Sequence, residues 1–321
     1  MLMGRKDTCT TNYFEDNFRF ADFINGSIFH GRRIILPENL KEANKEMLSK
    51  QKSDRRRVIR DNVKKYYKNT VISVLVLEHQ QNVDYHMVIR NMLSEAMEYD
   101  RQWHETKRLH RKNGDLKTGN EFVSGMCKED KFIPVITLVV YYGREKWDAS
   151  LNLYDILNME DTEPELLKYI NNYSVNIFDY HNYDNFDMFA SELRQVFSFL
   201  KYSEDKEKLQ KYIAENSADF YNISDESVEL MAVLTNSEKI LDVDRFRNEE
   251  GGIDMCKALE DIRQEGIGIG IEQGLEQGIR ALIINNIQEG ISKERTIKSL
   301  QKLFGLEQDA AEAYYNDISN E

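Results

Sequence analysis

The amino-acid sequence predicts an α/β fold in which helices flank a mixed central sheet. Two strand-like segments, Arg57–Tyr67 and Val71–Glu78, surround a short polar turn and predict a tight hairpin. A segment with helical periodicity, 84–108, comes next, and a third strand-like segment, Phe132–Tyr142, follows it. A hairpin followed by a helix and another strand is typical of a sheet covered by helices.

The first element that the sequence predicts is an amphipathic helix from Asn12 to Gly26. Its apolar residues recur at near-helical spacing, and the glycine is the expected stop signal. Asp22 falls in the last turn of this helix. A short strand, Arg33–Leu36, is expected before the hairpin begins.

The second strand of the hairpin carries an apolar residue at nearly every position from Val71 to Leu77. A strand of this composition is buried on both faces, so we expect it at the centre of the sheet. Its polar end, which includes Glu78 and Gln80, stands out against that background. Because side chains alternate along a strand, these two project to the same side.

The register of the hairpin places a second carboxylate near this polar end. With the turn centred near residue 69, Asp61 lies opposite Val76 or Leu77. Asp61 is then within one residue of Glu78. Two neighbouring carboxylates repel each other unless one takes a proton or a divalent cation bridges them. Oxygen ligands suit magnesium or manganese, so the sequence predicts a cation site here.

The net charge of −13 argues against a nucleic-acid partner, because affinity for phosphate comes largely from lysine and arginine. The distribution of charge reverses this argument. Residues 50–68 hold nine lysines and arginines against two aspartates, and residues 101–117 hold six against two acidic residues. Such windows are either solvated faces or a surface for a polyanion, and the charge pattern alone leaves both interpretations open.

The length of 321 residues predicts about two domains with an appendage. We divide the chain into an α/β core at 1–146, a mostly helical accessory region at 147–250 and a helical tail at 251–321. We expect no membrane segment, since the longest apolar run is far shorter than the roughly 20 residues that a bilayer needs. Three cysteines without paired spacing predict neither a disulfide scaffold nor a zinc site, and a reducing cytoplasm fits them best.

The tail contains a repeat in which glycine recurs every four residues, at positions 266, 270, 274 and 278. In a helix each glycine costs about 0.5–1 kcal/mol relative to alanine unless a partner packs closely against it. The segment 264–282 is therefore either a helix that self-associates or a flexible linker, and we favour a helix that forms a homo-oligomer. Two further helices, 292–303 and 307–315, are expected to form a small hairpin after it.

Several blocks of sequence occur in a recognisable order along nearly the whole chain. The first are the helix residues around Asp22, the pair Arg60-Asp61 and the strand end Glu78-His79-Gln80. The others are Val83–Arg90, Glu121–Gly125, Ile133–Gly143 and the closing Glu-x-x-Gly repeats. In this order the blocks resemble the Rpn family of recombination-promoting nucleases and YhgA-like transposases.

The resemblance implies a PD-(D/E)XK, or restriction-endonuclease-like, core in the first of the three regions. It implies that Asp61 and Glu78 bind a catalytic magnesium ion, with manganese as a substitute, and that Gln80 stands where most relatives have a lysine. It also makes Asp22 the additional metal ligand on a helix. Arg90 is expected either to contact phosphate or to form a salt bridge on the helix surface.

We therefore expect a cytoplasmic, magnesium-dependent DNA endonuclease that hydrolyses phosphodiester bonds. Its catalytic residues would be Asp61, Glu78 and Gln80, the last of which would place a water molecule. The DNA-binding surface would comprise the basic residues Arg55, Arg56, Arg57, Arg60, Lys64, Lys65 and Arg90. The alternative is a non-catalytic DNA-binding or assembly protein that retains the nuclease fold. A glutamine in place of lysine and the overall acidity would suit that alternative.

Overall fold

The computed structural model of the chain describes residues 4–51, 54–68, 70–160, 162–237 and 244–319. The chain folds into two compact units, Met1–Asp254 and Met255–Glu321. The described strands all belong to the first unit, and the second unit is built of helices. Among the described helices, none combines the length and the apolar character that crossing a membrane requires.

The described residues form seven strands. These are β1 (Leu40–Glu42), β2 (Glu46–Gln51), β3 (Asp54–Ile59), β4 (Asn62–Lys68), β5 (Thr70–Gln80), β6 (Val135–Tyr141) and β7 (Asn176–Asp179). Five of them form one sheet in the order β1-β4-β5-β6-β7, and β2 pairs with β3 in a separate ribbon. β4 is antiparallel to β1 and β5, whereas β6 is parallel to β5 and β7. The predicted mixed sheet is confirmed.

Helices precede, connect and follow these strands. In the first unit they are α1 (Arg5–Tyr13), α2 (Asn17–Phe29), α3 (Met87–Asn113), α4 (Gly119–Ser124), α5 (Pro164–Leu167), α6 (Leu193–Tyr202), α7 (Lys206–Glu215), α8 (Ser217–Phe220) and α9 (Asp225–Thr235). The second unit holds α10 (Met255–Gln288), α11 (Lys293–Phe304) and α12 (Gln308–Ser319).

The central position of β5 explains its apolar composition. β4 and β6 pair with its two edges, and each residue of Val74–Leu77 is at most 2 % exposed. On one face, the buried valines of β5 pack against Tyr99 of α3. On the other face, the ring of His79 stacks on Phe14, which follows α1. The expectation of a central strand buried on both faces is confirmed.

The hairpin forms as predicted, with a small shift in register. Asn62 pairs with Leu77, and an irregularity nearer the turn displaces the pairing relative to a regular hairpin. Asp61 immediately precedes β4 and therefore lies level with Glu78, one position beyond the last pair. The expected position of Asp61, within one residue of Glu78, agrees with this arrangement.

The first strand of the hairpin is shorter than the expected segment 57–67. The extended strand is interrupted between β3 and β4 at Arg60. The backbone N–H of Arg60 donates to the carbonyl oxygen of Lys45 at 2.9 Å. β3 turns away to pair with β2, so the sheet begins again only at Asn62. The break places Asp61 in a bend at the edge of two strand systems.

The single helix expected over 12–26 is wrong, because α1 and α2 divide this region. Asp16 lies between them, and its side chain accepts a hydrogen bond from the backbone N–H of Arg19, which caps α2. The strand expected at Arg33–Leu36 is also wrong. The side chain of Asn25 accepts hydrogen bonds from two backbone N–H groups of that segment and donates to a carbonyl oxygen, which replaces the pairing of a strand.

The region 147–250, expected to be a helical accessory region, takes part in the central sheet. It supplies β7, which lies parallel to β6, and its helix α9 packs against α1. The hydroxyls of Tyr13 and Ser227 form a buried hydrogen bond of 2.9 Å between these two helices. The expected boundary after residue 146 therefore falls inside the first compact unit.

The second unit contains the glycine repeat and the expected helical hairpin. The segment 264–282 lies within α10, and α11 and α12 pack with it around Ile279, Ile283 and Leu300. Within this unit, Gly266, Gly270 and Gly274 have open space where a Cβ would stand. Self-association through this helix stays a prediction.

Gly26 in α2 is required by packing and not as a stop signal, because the helix continues to Phe29. A Cβ at Gly26 would meet the ring of Phe189. Added volume in a filled core forces neighbouring side chains out of their preferred positions.

We therefore expect Gly26→Ala to lower the free energy of unfolding by about 1–3 kcal/mol. Urea denaturation followed by circular dichroism would measure the change. Gly119→Ala is the matched control, because Gly119 opens α4 and has open space around its Cβ position. Its stability should change by less than about 1 kcal/mol. Equal stabilities of Gly26→Ala and the unaltered protein would contradict the packing role.

Candidate functional site

The candidate site lies where β5 ends and the chain enters the bend before β4. Asp61 and Glu78 meet here, because they stand level with each other across the antiparallel pair. One carboxylate oxygen of Asp61 accepts a hydrogen bond of 2.7 Å from the backbone N–H of His79. The side chain of Glu78 is 6 % exposed. The sequence-predicted pair of carboxylates is thus brought together at the end of the central strand.

Burial, and after it the neighbouring charge of Asp61, raise the pKa of Glu78 to about 8 against the opposing effect of Arg90 and Arg60. Arg90 on α3 lies 3.5 Å from a carboxylate oxygen of Glu78 and 3.2 Å from one of Asp84. At neutral pH without a cation, Glu78 therefore holds a proton. One of two neighbouring carboxylates being neutral is the outcome expected when like charges share a buried site.

The pKa of Asp61 is also raised, mainly by burial. The His79 N–H lowers it, whereas the charge of Asp7 raises it and the charges of Arg90 and Lys45 lower it. Asp7 lies on α1, so a third carboxylate, from a helix, comes within electrostatic reach of Asp61.

Sequence reasoning missed both Asp7 and Lys45. Asp7 is a single acidic residue in a polar stretch, and no local pattern marks it. Lys45 precedes β2, forms an ion pair of 3.1 Å with Glu15, and its charge acts on Asp61. Its carbonyl oxygen accepts a hydrogen bond from the backbone N–H of Arg60. This bond fixes Lys45 next to the interruption between β3 and β4, and so beside the site.

Asp22 accepts hydrogen bonds that have no connection with the carboxylate pair. Its oxygens accept from the backbone N–H groups of Ala190 and Ser191, at 2.8 to 3.0 Å, and from the Ser191 hydroxyl at 2.6 Å. The side chain therefore fixes the turn that precedes α6. Its role as a metal ligand stays a prediction.

Two of the basic residues expected to bind DNA are buried, so the expectation is wrong for them. Arg60 donates to the hydroxyl of Ser94 at 3.0 Å and to its carbonyl oxygen at 2.7 Å, and it lies 3.7 Å from Glu98. Lys64 donates to the carbonyl oxygen of Glu15 and pairs with Glu42 at 2.8 Å. Both side chains are fully covered and neutralised inside the protein, which removes them from any surface.

The remaining basic residues have different positions. Lys65 is half-buried on β4 and, by the alternation of the strands, on the same face as Glu78. The side chain of Arg90 is 43 % exposed, and it already joins Glu78 to Asp84. The side chains of Arg55, Arg56 and Arg57 lie outside the described part of the structure, although the backbone of β3 is described.

Gln80 follows Glu78 on the same face of β5 and pairs with Tyr141 of β6 in the strand register. His79 points to the opposite face, where its ring nitrogens contact Asn62 at 2.8 Å and the hydroxyl of Tyr142 at 3.3 Å. Burial lowers the pKa of His79 to about 3, so this ring is neutral. His79 is therefore part of the packing beneath the site.

A pocket of about 360 Å³ opens at Gln81 and Asn82, just beyond the carboxyl ends of β5 and β6. Its lining includes two basic residues, Lys6 from α1 and Arg144 from the loop after β6, together with the polar residues Gln81 and Asn82. Crevices at the carboxyl ends of parallel strands are common ligand positions in α/β proteins.

The donor set fits a hard divalent cation. Asp61 and Glu78 supply carboxylate oxygens, Asp7 adds a third negative charge nearby, and His79 points away. Magnesium and manganese prefer oxygen ligands of this kind. A cation between the two carboxylates would also relieve the repulsion that keeps Glu78 protonated.

The proton on Glu78 predicts a pH dependence of stability. The folded pKa of about 8 lies above the ordinary value of 4.5, so the folded protein binds a proton that the unfolded chain has released. The stability linked to this proton is fully present below pH 4.5 and is lost as the pH rises through about 8. In chelator-treated protein we expect the free energy of unfolding to fall over this range.

Glu78→Gln should remove most of this decline, because glutamine has no proton to release. Urea denaturation at a series of pH values would measure it, with Glu38→Gln as a control at an exposed carboxylate. A decline of equal slope in Glu78→Gln and in the unaltered protein would show that Glu78 is ionised when buried.

Comparison with known proteins adds the family. Residues 62–241, more than half of the chain, match the family described as "Putative transposase, YhgA-like". The matched segment includes Glu78 and Gln80, and it begins one residue after Asp61. No curated protein and no solved structure matches the chain. The sequence blocks, the mixed sheet and this match together establish that the chain belongs to the YhgA-like transposase family.

Proposed function

We propose that this protein is a magnesium-dependent DNA endonuclease that hydrolyses phosphodiester bonds. The observation that carries the proposal is the meeting of Asp61 and Glu78 at the end of a central strand buried on both faces. Burying two acidic groups side by side is costly unless a cation or a proton compensates them. We infer that the two carboxylates serve a function that offsets this cost. Holding a metal ion for phosphate chemistry is the function that fits a pair of carboxylates.

The order of elements supports a PD-(D/E)XK core. Two helices lead into β1, β4 and β5, which form an antiparallel meander. α3 then crosses over to β6, which lies parallel to β5. The carboxylate pair lies at the junction between the antiparallel and parallel halves of this sheet.

Asp61 and Glu78 would hold a magnesium ion, which manganese could replace, and we assign Asp7 in preference to Asp22 as the third acidic residue. Asp7 acts electrically on Asp61, whereas the described hydrogen bonds of Asp22 go to the turn before α6. When bound, the ion supplies charge neutralisation at the scissile phosphate and a lowered pKa of a bound water.

The surrounding side chains have separate tasks. Gln80 lies on the same face as Glu78, where its amide can orient the attacking water through hydrogen bonds. An amide carries no charge, so the positive charge that a lysine would add must come from elsewhere. The charges of Lys45, Arg60 and Arg90 reach the carboxylates. Of these, Arg60 is buried, and Arg90 is exposed enough to exchange Asp84 for a phosphate.

DNA would reach the site across a surface that is smaller than the sequence predicts. Lys65 and Arg90 remain as exposed or half-exposed cations on the side of Glu78, and β3 brings Arg55, Arg56 and Arg57 to the neighbouring ribbon. The pocket at Gln81 adds Lys6 and Arg144, together with the acidic Glu145. Loss of Arg60 and Lys64 to the interior predicts modest affinity and a shallow salt dependence.

Cleavage of supercoiled plasmid tests the proposal. With magnesium at low salt, the unaltered protein should nick and then linearise the plasmid, and chelation should stop it. Asp61→Asn and Glu78→Gln should each lower the rate by more than about 100-fold, since even outer partners of metal ligands cost 10–100-fold. Glu38→Gln is the control.

Equal electrophoretic shift of plasmid by all variants, without cleavage under magnesium or manganese, would contradict the endonuclease. That result would support a non-catalytic DNA-binding or assembly protein instead. The uncharged Gln80 is the feature of this chain that favours the alternative.

The third carboxylate has its own test. We expect Asp7→Asn to raise the magnesium concentration for half-maximal cleavage by about 10-fold, with little change in stability, because Asp7 acts on the site from the helix. Asp22→Asn should leave this concentration unchanged and lower the free energy of unfolding by about 1.5–3 kcal/mol, since it weakens hydrogen bonds to a charged group. The reverse pattern would restore Asp22 as the ligand.

A further inference from the structure

A second group of potential metal ligands lies at the far end of α3, outside the carboxylate site. His110 in the last turn of α3 meets Cys127 and Asp130 from the loop after α4. One ligand atom from each of the three lies within 4.8 Å of the other two. Neighbouring ligand atoms in tetrahedral zinc sites are about 3–4 Å apart, given zinc–ligand distances of about 2.0–2.3 Å. Small side-chain rotations would therefore complete such a site.

The loop holds its two ligands in fixed relation. The backbone N–H of Cys127 donates to a carboxylate oxygen of Asp130 at 2.7 Å, and the N–H of Asp130 donates to the carbonyl oxygen of Cys127 at 3.2 Å. This reciprocal pair closes a tight turn, so both side chains start from a common, ordered backbone. Asp130 also reaches Nε2 of His110 at 2.8 Å.

The histidine has the arrangement of a metal ligand with an outer carboxylate. Its Nδ1 lies 3.1 Å from Asp115, while Nε2 lies 2.8 Å from Asp130. In the tautomer with hydrogen on Nδ1, Asp115 accepts that hydrogen and leaves the lone pair of Nε2 for a cation. Metal-bound histidines nearly always donate their other N–H to a carboxylate in this way.

The charge around the sulfur calls for a cation. The negative charges of Glu121, Asp130, Asp115 and Glu129 act on the sulfur of Cys127. The C-terminal end of a helix such as α3 also attracts positive charge. A thiol, an imidazole and a carboxylate form a mixed donor set that suits zinc and related transition metals better than magnesium.

We propose that His110, Cys127 and Asp130 form a transition-metal site, with zinc as the expected ion, water as its fourth ligand and Asp115 as the outer partner of the histidine. The ion joins the end of α3 to the loop that leads into β6. It is a structural metal site, separate from the carboxylate pair of the proposed nuclease.

Cobalt titration of the full chain tests the site without any measurement of cleavage. Cobalt bound by a thiolate gives a near-ultraviolet charge-transfer band, which carboxylates alone do not give. We expect one equivalent to bind with this band, and zinc to displace it while raising the melting temperature. Cys127→Ser should lose the band, and Cys256→Ser should keep it. Asp115→Asn should weaken zinc affinity by about 10–100-fold.

A protein that gives no charge-transfer band, or a band that survives in Cys127→Ser, overturns the proposal. His110 would then be a protonated histidine held between two carboxylates. Neither result depends on magnesium-dependent cleavage, so the outcome of this titration and that of the plasmid assay are independent.

Discussion

The burial of the Glu78 carboxyl at the end of β5 is the constraint on which the rest of the site depends. A strand covered on both faces brings its last residues into a medium that penalises charge, and Asp61 adds repulsion to that penalty. Arg90 opposes both effects from α3, at 3.5 Å. The balance leaves Glu78 protonated beside the Asp61 carboxyl group, and a divalent cation bound between the two would displace the proton of Glu78.

The same region explains why two residues of the first basic window, Arg60 and Lys64, lie inside the protein. The strand is interrupted between β3 and β4. At this interruption the side chain of Arg60 points inward, to the carbonyl oxygen of Ser94 and towards Glu98. Lys64, two residues into β4, points to the opposite face and is covered there by Glu42 and the end of α1. These two cations lie against buried acceptors near the site, so part of the window serves the interior of the protein. A count of lysines and arginines along the sequence does not separate the two uses.

The sequence was sufficient where the controlling signal is local. The apolar run of β5 and the adjacent turn predict a central strand and a hairpin, and their register brings Asp61 to Glu78. It was insufficient where the partner is distant. The burial of Arg60 depends on residues of α3, and the nearness of Asp7 to Asp61 depends on how α1 packs against the sheet. Gly26 shows the same limit, since the reason for a glycine there is the ring of Phe189.

The two proposed metal sites differ in the chemistry of their donors, and this difference would let one chain hold two different ions. Carboxylates at the end of β5 favour hard cations that keep much of their water, which suits an ion that must meet a phosphate. Sulfur and nitrogen beside Asp130 favour a softer ion held firmly by the protein. Asp61 and Glu78 offer oxygen donors alone. Excess zinc would compete with magnesium there only because zinc binds most donor sets more tightly than lighter divalent metals do.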